Sequence, residues 1–203
     1  MRHVFRSVTT AEIIPDLAAC LAPVMKDLEA NQKPERLHHI YGVIQASISL
    51  ADLHGVDKNQ AALAAALHDC AKHVGREETL DLVQSGAIKL SSEDQNYPAI
   101  WHGPVAAYFA KSRYGVTDSD VLDAVEHHTL GHSSPGRLLQ VLMCADATEP
   151  TRDYPGLEEL RAAVRADLKS GLLSVLKHKM CHIMERGQQP HSRMSETIKS
   201  LEN

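Results

Sequence analysis

No run in this chain stays apolar for the roughly 18 to 20 residues that a membrane-spanning helix needs. The opening Met1-Arg2-His3-Val4-Phe5-Arg6 also lacks the apolar centre of a secretory signal, so the protein reads as cytoplasmic, without a membrane partner. Cysteine is sparse. Cys20, Cys70, Cys144 and Cys181 are scattered and form no CxxC pair, which argues for reduced thiols and against a disulfide framework or a zinc ribbon. Basic residues are not in excess: 21 Lys and Arg stand against 26 Asp and Glu, for a formal net charge of -5. A binder of nucleic-acid backbones needs a basic face, so that class is set aside, although a local basic pocket for a small phosphorylated ligand is not. Alternating β-branched stretches, internal repeats and breaks in composition are missing too. What remains is a single all-α domain over residues 1–203.

What the chain has is histidine. Thirteen histidines stand against two phenylalanines and one tryptophan, a compositional hint of metal chemistry. Nearly every long segment carries helical periodicity. Thr9-Thr10-Ala11-Glu12 can supply a capping box for a first helix bearing Ile13, Ile14, Leu17 and Leu21, kinked or restarted at Pro23. Pro34 suits the first turn of a second helix over about 34–54, which Gly55 stops. Asp57 caps an alanine-rich third helix over about 58–72, whose small side chains let neighbours come close. A short helix over 76–85, a polar turn region up to Tyr97, and helices over 98–114, up to His127-His128, and over 137–148 follow. Amphipathic helices over 157–169 and 172–186 and a more polar one from Pro190 complete the pattern.

The chain is organised around Ala64-Ala65-Ala66-Leu67-His68-Asp69-Cys70-Ala71-Lys72. A buried imidazole and carboxylate at the end of an apolar run are costly unless a metal ion or a hydrogen-bonded partner compensates them. Four other places raise the same question. His39 lies on an apolar stripe of the second helix, beside Gly42, whose missing side chain leaves room. His102 stands early in its helix. His127-His128 ends a helix, and only one of the two can face a shared site, because neighbours point about 100° apart. Asp146 follows Leu142-Met143-Cys144-Ala145 and is drawn inward with them, where it needs a cation or a network such as Arg152 offers. Taken singly, each also fits a satisfied core or surface residue. One polynuclear site in a helical bundle accounts for all of them together. His178 and His182, four residues apart with no third partner, read as a solvated helix face.

The ordered set His39, His68-Asp69, His102, His128 and Asp146 resembles the HD superfamily of metal-dependent phosphohydrolases. The closer resemblance is to the bacterial symmetrical diadenosine tetraphosphate hydrolases. It is carried by Arg36-Leu37-His38-His39 with Gly42-Val43, Ala66-Leu67-His68-Asp69, His102-Gly103-Pro104-Val105, His127-His128-Thr129-Leu130-Gly131 and Ala145-Asp146-Ala147-Thr148-Glu149-Pro150-Thr151-Arg152. Either histidine doublet could swap its ligand, though the Gly-Val and Thr-x-Gly spacings favour His39 and His128. The resemblance implies an HD core over about 34–165 with C-terminal helices over about 157–201. It implies two divalent or mixed-valence metal ions, iron first, with manganese, cobalt or zinc as alternatives, held by His39, His68, Asp69, His102, His128 and Asp146. Asp69 is the natural bridge between them.

That resemblance also implies symmetrical hydrolysis of a dinucleoside tetraphosphate to two nucleoside diphosphates by hydroxide bound between the metals. Lys72 follows His68 by one helical turn and can reach a phosphate, and Arg152 has the planar fork suited to one. With Asp69 they form the expected catalytic set. Substrate contacts are expected at Lys72, His127, Thr129, Glu149 and Arg152, with Glu149 also able to orient Arg152 or a ligand. A homodimer is compatible with all of this. The alternatives are an HD phosphohydrolase acting on a monophosphate, deoxynucleotide or cyclic dinucleotide, and a non-catalytic HD module that binds nucleotides.

Overall fold

The computed structural model describes residues 18–203, and those residues form ten α-helices with no strand. The expected capping box at Thr9–Glu12 and the stripe through Leu17 lie outside the described residues. Helix α1, Ala18–Asn31, runs on through Pro23 and buries Leu21, Val24, Met25 and Leu28, one face at helical spacing. Helix α2, Pro34–His54, starts on its proline and ends where Gly55 turns left-handed at φ 67°, its amide bonded to the Ala51 carbonyl. Helix α3, Lys58–Leu67, is capped by the Asp57 carboxylate, which accepts from the amides of Asn59 and Gln60. All five of its alanines are buried, and α1 and α2 lie against it.

One expectation fails at an informative place. The third helix does not continue to residue 72. It ends at Leu67, and His68 to His73 follow in successive tight turns, with Cys70 N bonded to Leu67 O, Lys72 N to Asp69 O and Val74 N to Ala71 O. A three-residue turn replaces the four-residue step, so Lys72 comes round beside Asp69 and not over His68.

Helix α4, Arg76–Gln84, leads to a turn region that includes single 3-10 turns at Asp94–Asn96 and Pro98–Ile100. The second of these occupies what the sequence suggested as the start of a longer helix; α5 runs only over His102–Tyr114. Helices α6, Ser119–His127, and α7, Arg137–Thr148, pack on each other and on α3, and α7 also packs on α2. The alanines of α3 therefore sit at the centre of the bundle.

Helices α8, Leu157–Ala166, and α9, Leu168–Glu185, break at Asp167, earlier than expected. Its extended backbone (φ -153°) and its carboxylate bond to Ser170 N start α9 there. Gly171 then belongs inside α9, where a side chain would collide with the Val164 backbone, and its absence lets the two helices touch. Helix α10, Ser192–Glu202, is fastened at its start: Arg193 Nη2 donates to both carboxylate oxygens of Asp94, at 2.8 and 3.0 Å. Trp101 Nε1 donates to the Asp94 carbonyl at 2.7 Å. The residue that precedes His102 thus shares an anchor with the last helix.

Candidate metal centre

The ends of the central helices converge. His39 stands in α2, His68 and Asp69 in the turn after α3, His102 at the first position of α5, His128 just beyond α6, and Asp146 near the end of α7. His68, Asp69, His102 and His128 are buried. Their donor atoms form two groups, His39 with His68 and Asp146, and Asp69 with His102 and His128, each within 4.8 Å internally.

Asp69 lies between the groups. Its Oδ1 is 3.2 Å from His102 Nε2 and 3.9 Å from His128 Nε2, while its Oδ2 is 3.7 Å from His68 Nε2 and 4.0 Å from His39 Nε2. One oxygen thus serves each side. His39 Nε2 lies 3.2 Å from Asp146 Oδ1.

The imidazoles are aimed by the backbone and by one carboxylate. His68 Nδ1 lies 2.6 Å from the Ala65 carbonyl and His128 Nδ1 2.8 Å from the Val125 carbonyl, three residues back in each case. A carbonyl only accepts, so both rings carry their proton on Nδ1 and turn the Nε2 lone pair into the cluster. His39 Nδ1 meets Glu149 Oε1 at 3.1 Å. Glu149 is fully buried and also accepts from Thr151 N and Thr151 Oγ1, at 2.5 and 2.6 Å. The room that the sequence left beside Gly42 is taken by this carboxylate.

The imidazoles divide: burial opposes charge on His39, but its bonds to Asp146 and Glu149 outweigh it and raise its pKa, whereas His102 and His128 are lowered. Burial, reinforced by His102 and His68, pushes His128 well below the usual histidine range, and burial lowers His102 despite Asp69. Burial opposes charge on Asp69, but His68, His102 and Lys72 outweigh it and hold the carboxyl far below its ordinary value. Asp146 behaves alike: burial raises it, and His39, His68 and Arg152 bring it well down. Cys70, next to Asp69, is pushed up to about 12 by burial and by that carboxylate, so its thiol stays protonated and inert.

Cations surround the carboxylates. Lys72 Nζ is 3.4 Å from Asp69 Oδ1 and 3.1 Å from His102 Nε2. Arg152 Nη2 donates to Asp146 Oδ1 at 2.7 Å, and its Nε to the Asp146 carbonyl at 3.0 Å. Two further cations were not singled out from the sequence. Arg36 Nη1 donates to Asp69 Oδ2 at 2.5 Å; it lies three residues before His39 on α2, a spacing that could have revealed it. Lys179, on α9, donates to the Thr129 carbonyl at 2.7 Å. The residue as a whole is exposed, and crowding of its amine by surrounding atoms, with the charges of Lys72 and Arg152, lowers its pKa against the pull of Asp146. Nothing local in the sequence marks that lysine. His127 is not brought into the cluster. Its Nε2 points to Asp123 Oδ1 at 3.7 Å and its ring packs edge-on against His132.

A family model described as HD domain matches residues 36–151, more than half of the chain. The chain belongs to the HD-domain family of hydrolases. It is 36% identical over 153 residues to a protein of Bacillus subtilis named symmetrical bis(5'-nucleosyl)-tetraphosphatase, covering 75% of this chain and 82% of the relative. A protein of the same name from Halalkalibacterium halodurans is 34% identical over 155 residues, covering 75% and 81%. The fold is also that of a Clostridium acetobutylicum protein described as an HD superfamily hydrolase involved in NAD metabolism. That match has a TM-score of 0.85 and 29% identity, covering 89% of this chain and 95% of the other.

HD domains imply a divalent metal, and the donor set of this HD domain fits one. His68 Nε2 is buried and has no hydrogen-bond partner. His102 Nε2 and His128 Nε2 stand 3.0 Å apart, so that with both unprotonated their lone pairs converge as donors to one cation do. No helix among the described residues is long and apolar enough to cross a membrane.

Proposed function

We propose that this HD hydrolase holds two first-row metal ions, iron foremost, and splits a dinucleoside tetraphosphate at its centre into two nucleoside diphosphates. The observation that supports it best is Asp69, which turns one carboxylate oxygen to each of two ligand groups. His39, His68 and Asp146 would hold one ion, His102 and His128 the other, and Asp69 both. Imidazole and carboxylate together suit iron, manganese, cobalt and zinc. A metal pair supplies Lewis acidity toward a phosphoryl oxygen and lowers the pKa of a water.

The chain's own residues do the rest. Arg36 pins Asp69 Oδ2 in place, and the Ala65 and Val125 carbonyls fix the tautomers of His68 and His128. Glu149 orients His39; with its carboxylate fully buried it makes no substrate contact. Lys72 and Arg152 each present positive charge at the rim of the cluster, where phosphoryl oxygens gain charge as the central bond breaks. Thr129, beside His128, offers a hydroxyl to a non-bridging oxygen. His127, turned to Asp123, takes no part. The relatives named symmetrical tetraphosphatases support the choice of substrate.

The test is incubation of metal-loaded protein with diadenosine tetraphosphate, followed by separation of the nucleotides. ADP as the sole product supports the reading. AMP with ATP means asymmetric cleavage, and no turnover with any first-row metal sinks it.

A further inference from the structure

A further group of metal-ligating side chains stands apart from the HD cluster. Asp123, His127 and His132 each offer a donor atom, and those atoms lie within 4.8 Å of one another. The arrangement has local causes. Asp123 and His127 are four residues apart and share one face of α6. The helix then stops: Leu130 N and Gly131 N both bond to His127 O, and Gly131 turns left-handed at φ 73°. That reversal brings His132 back, its ring edge-on to His127 with centroids 4.9 Å apart. His127 and His128 face different ways, so this group is separate from the buried centre.

The three side chains do not satisfy one another. His127 Nδ1 is buried with no hydrogen-bond partner among the described residues, and its Nε2, 3.7 Å from Asp123 Oδ1, is too far for a hydrogen bond. An ion at Nε2 would give that ring its one partner. His132 Nδ1 accepts from Ser134 N at 3.2 Å, so its Nε2 carries the proton and donates to Asp123 Oδ2 at 3.1 Å. Two imidazoles and a carboxylate, open to solvent on one side, are a donor set for a first-row cation with room for water. Glu126 adds negative charge beside His127, and Arg193, the opposing cation, is paired with Asp94.

We propose that Asp123, His127 and His132 form a separate zinc site, which fastens the loop after His128 to α6. The ion takes the Nε2 lone pairs of both imidazoles and an oxygen of Asp123. On His132 the ring proton then sits on Nδ1, and the exposed Ser134 amide turns from it to water. The side chains of Asp123, His127 and His132 are 39%, 25% and 26% exposed, so the ion exchanges with solvent. Desalted protein therefore keeps only the ions of the buried cluster. The site is independent of the substrate proposed above.

The test uses protein loaded with zinc, desalted, and then titrated with zinc chloride by calorimetry. One further ion per chain should bind, and it should raise Tm. Asp123→Asn and His132→Gln, at partly exposed positions, should match the parent in Tm without added zinc. Each should weaken the added ion by more than the roughly 10- to 100-fold that outer partners of a metal contribute. His39→Gln, at the buried cluster, should retain the event, and adding His132→Gln to it should remove the event. Zinc should also shift the Ser134 amide in nitrogen-15 spectra of the parent, a readout that stands if either variant unfolds. The absence of a further ion overturns the proposal, as does a Ser134 amide that zinc leaves unmoved. Binding that survives both variants, or that is lost in His39→Gln, places the ion elsewhere and overturns it too.

Discussion

The Glu149 carboxylate lies where a side chain at position 42 would stand, so the bare α-carbon of Gly42 is what lets Glu149 reach His39 Nδ1. Burial raises the pKa of Glu149, but His39 and Thr151 outweigh it and keep the carboxyl ionised. Gly42→Ala should therefore displace the carboxylate and release His39. Outer partners of metal ligands contribute about 10- to 100-fold in affinity. A metal titration of G42A should show that loss in one of the two proposed sites, and an unaltered titration would remove Glu149 from the orienting role.

The histidine doublet at the end of α6 gives a sharper contrast. His128 faces Asp69 and His102, while His127 faces Asp123 and His132. His128→Gln should cost bound metal, read as metal per chain by elemental analysis. His127→Gln should retain it. The reverse pattern would exchange the two assignments.

Lys179 joins α9 to the turn after His128 and brings a third positive group near Lys72 and Arg152. Lys179→Met should raise KM for a tetraphosphate substrate by about tenfold, the scale of a charge-assisted hydrogen bond. kcat should fall much less, because the cations nearest the cluster remain. Lys179→Arg should recover most of the loss. A fall in kcat at constant KM would place Lys179 in the chemical step instead.

Asp94 carries a pH dependence of stability. Burial raises its pKa, but bonds from Ser91 and the charges of Arg193 and His191 prevail and lower it. A carboxyl depressed in the folded state stabilises above its unfolded pKa, near 4, and that contribution fades as pH falls from there toward the lower folded value. Asp94→Asn should lower Tm at neutral pH, with a loss of about 1.5 to 3 kcal/mol for hydrogen bonds to a charged group. Its Tm should then vary less than the parent's between pH 4 and 2. Parallel acid limbs for the two proteins would show that Asp94 does not contribute there.

The all-α class was legible because helical periodicity, caps and stops are local. Pro34, Gly55 and Asp57 act on their own neighbours, and their helices begin or end where those residues stand. The chemistry-bearing side chains were legible for a related reason: an imidazole or carboxylate at the end of an apolar helical run must meet a partner. Less legible was the backbone between them. The alanines of 61–66 continue into Cys70 and Ala71, so the pattern reads as helix to residue 72, while the chain turns at Leu67 and sets Lys72 against Asp69.

The His68-Asp69 turn thus divides the two kinds of information. Sequence alone determined that helices would form and that imidazoles and carboxylates at their ends would need partners, since periodicity and the cost of burial belong to each segment. Only the tertiary structure decided that Asp69 offers one oxygen to each side, that Glu149 fills the hollow at Gly42, that Lys179 arrives from α9, and that Arg76 lies over Trp101. Those are contacts between distant segments. They depend on how helices cross in space, which no local pattern encodes.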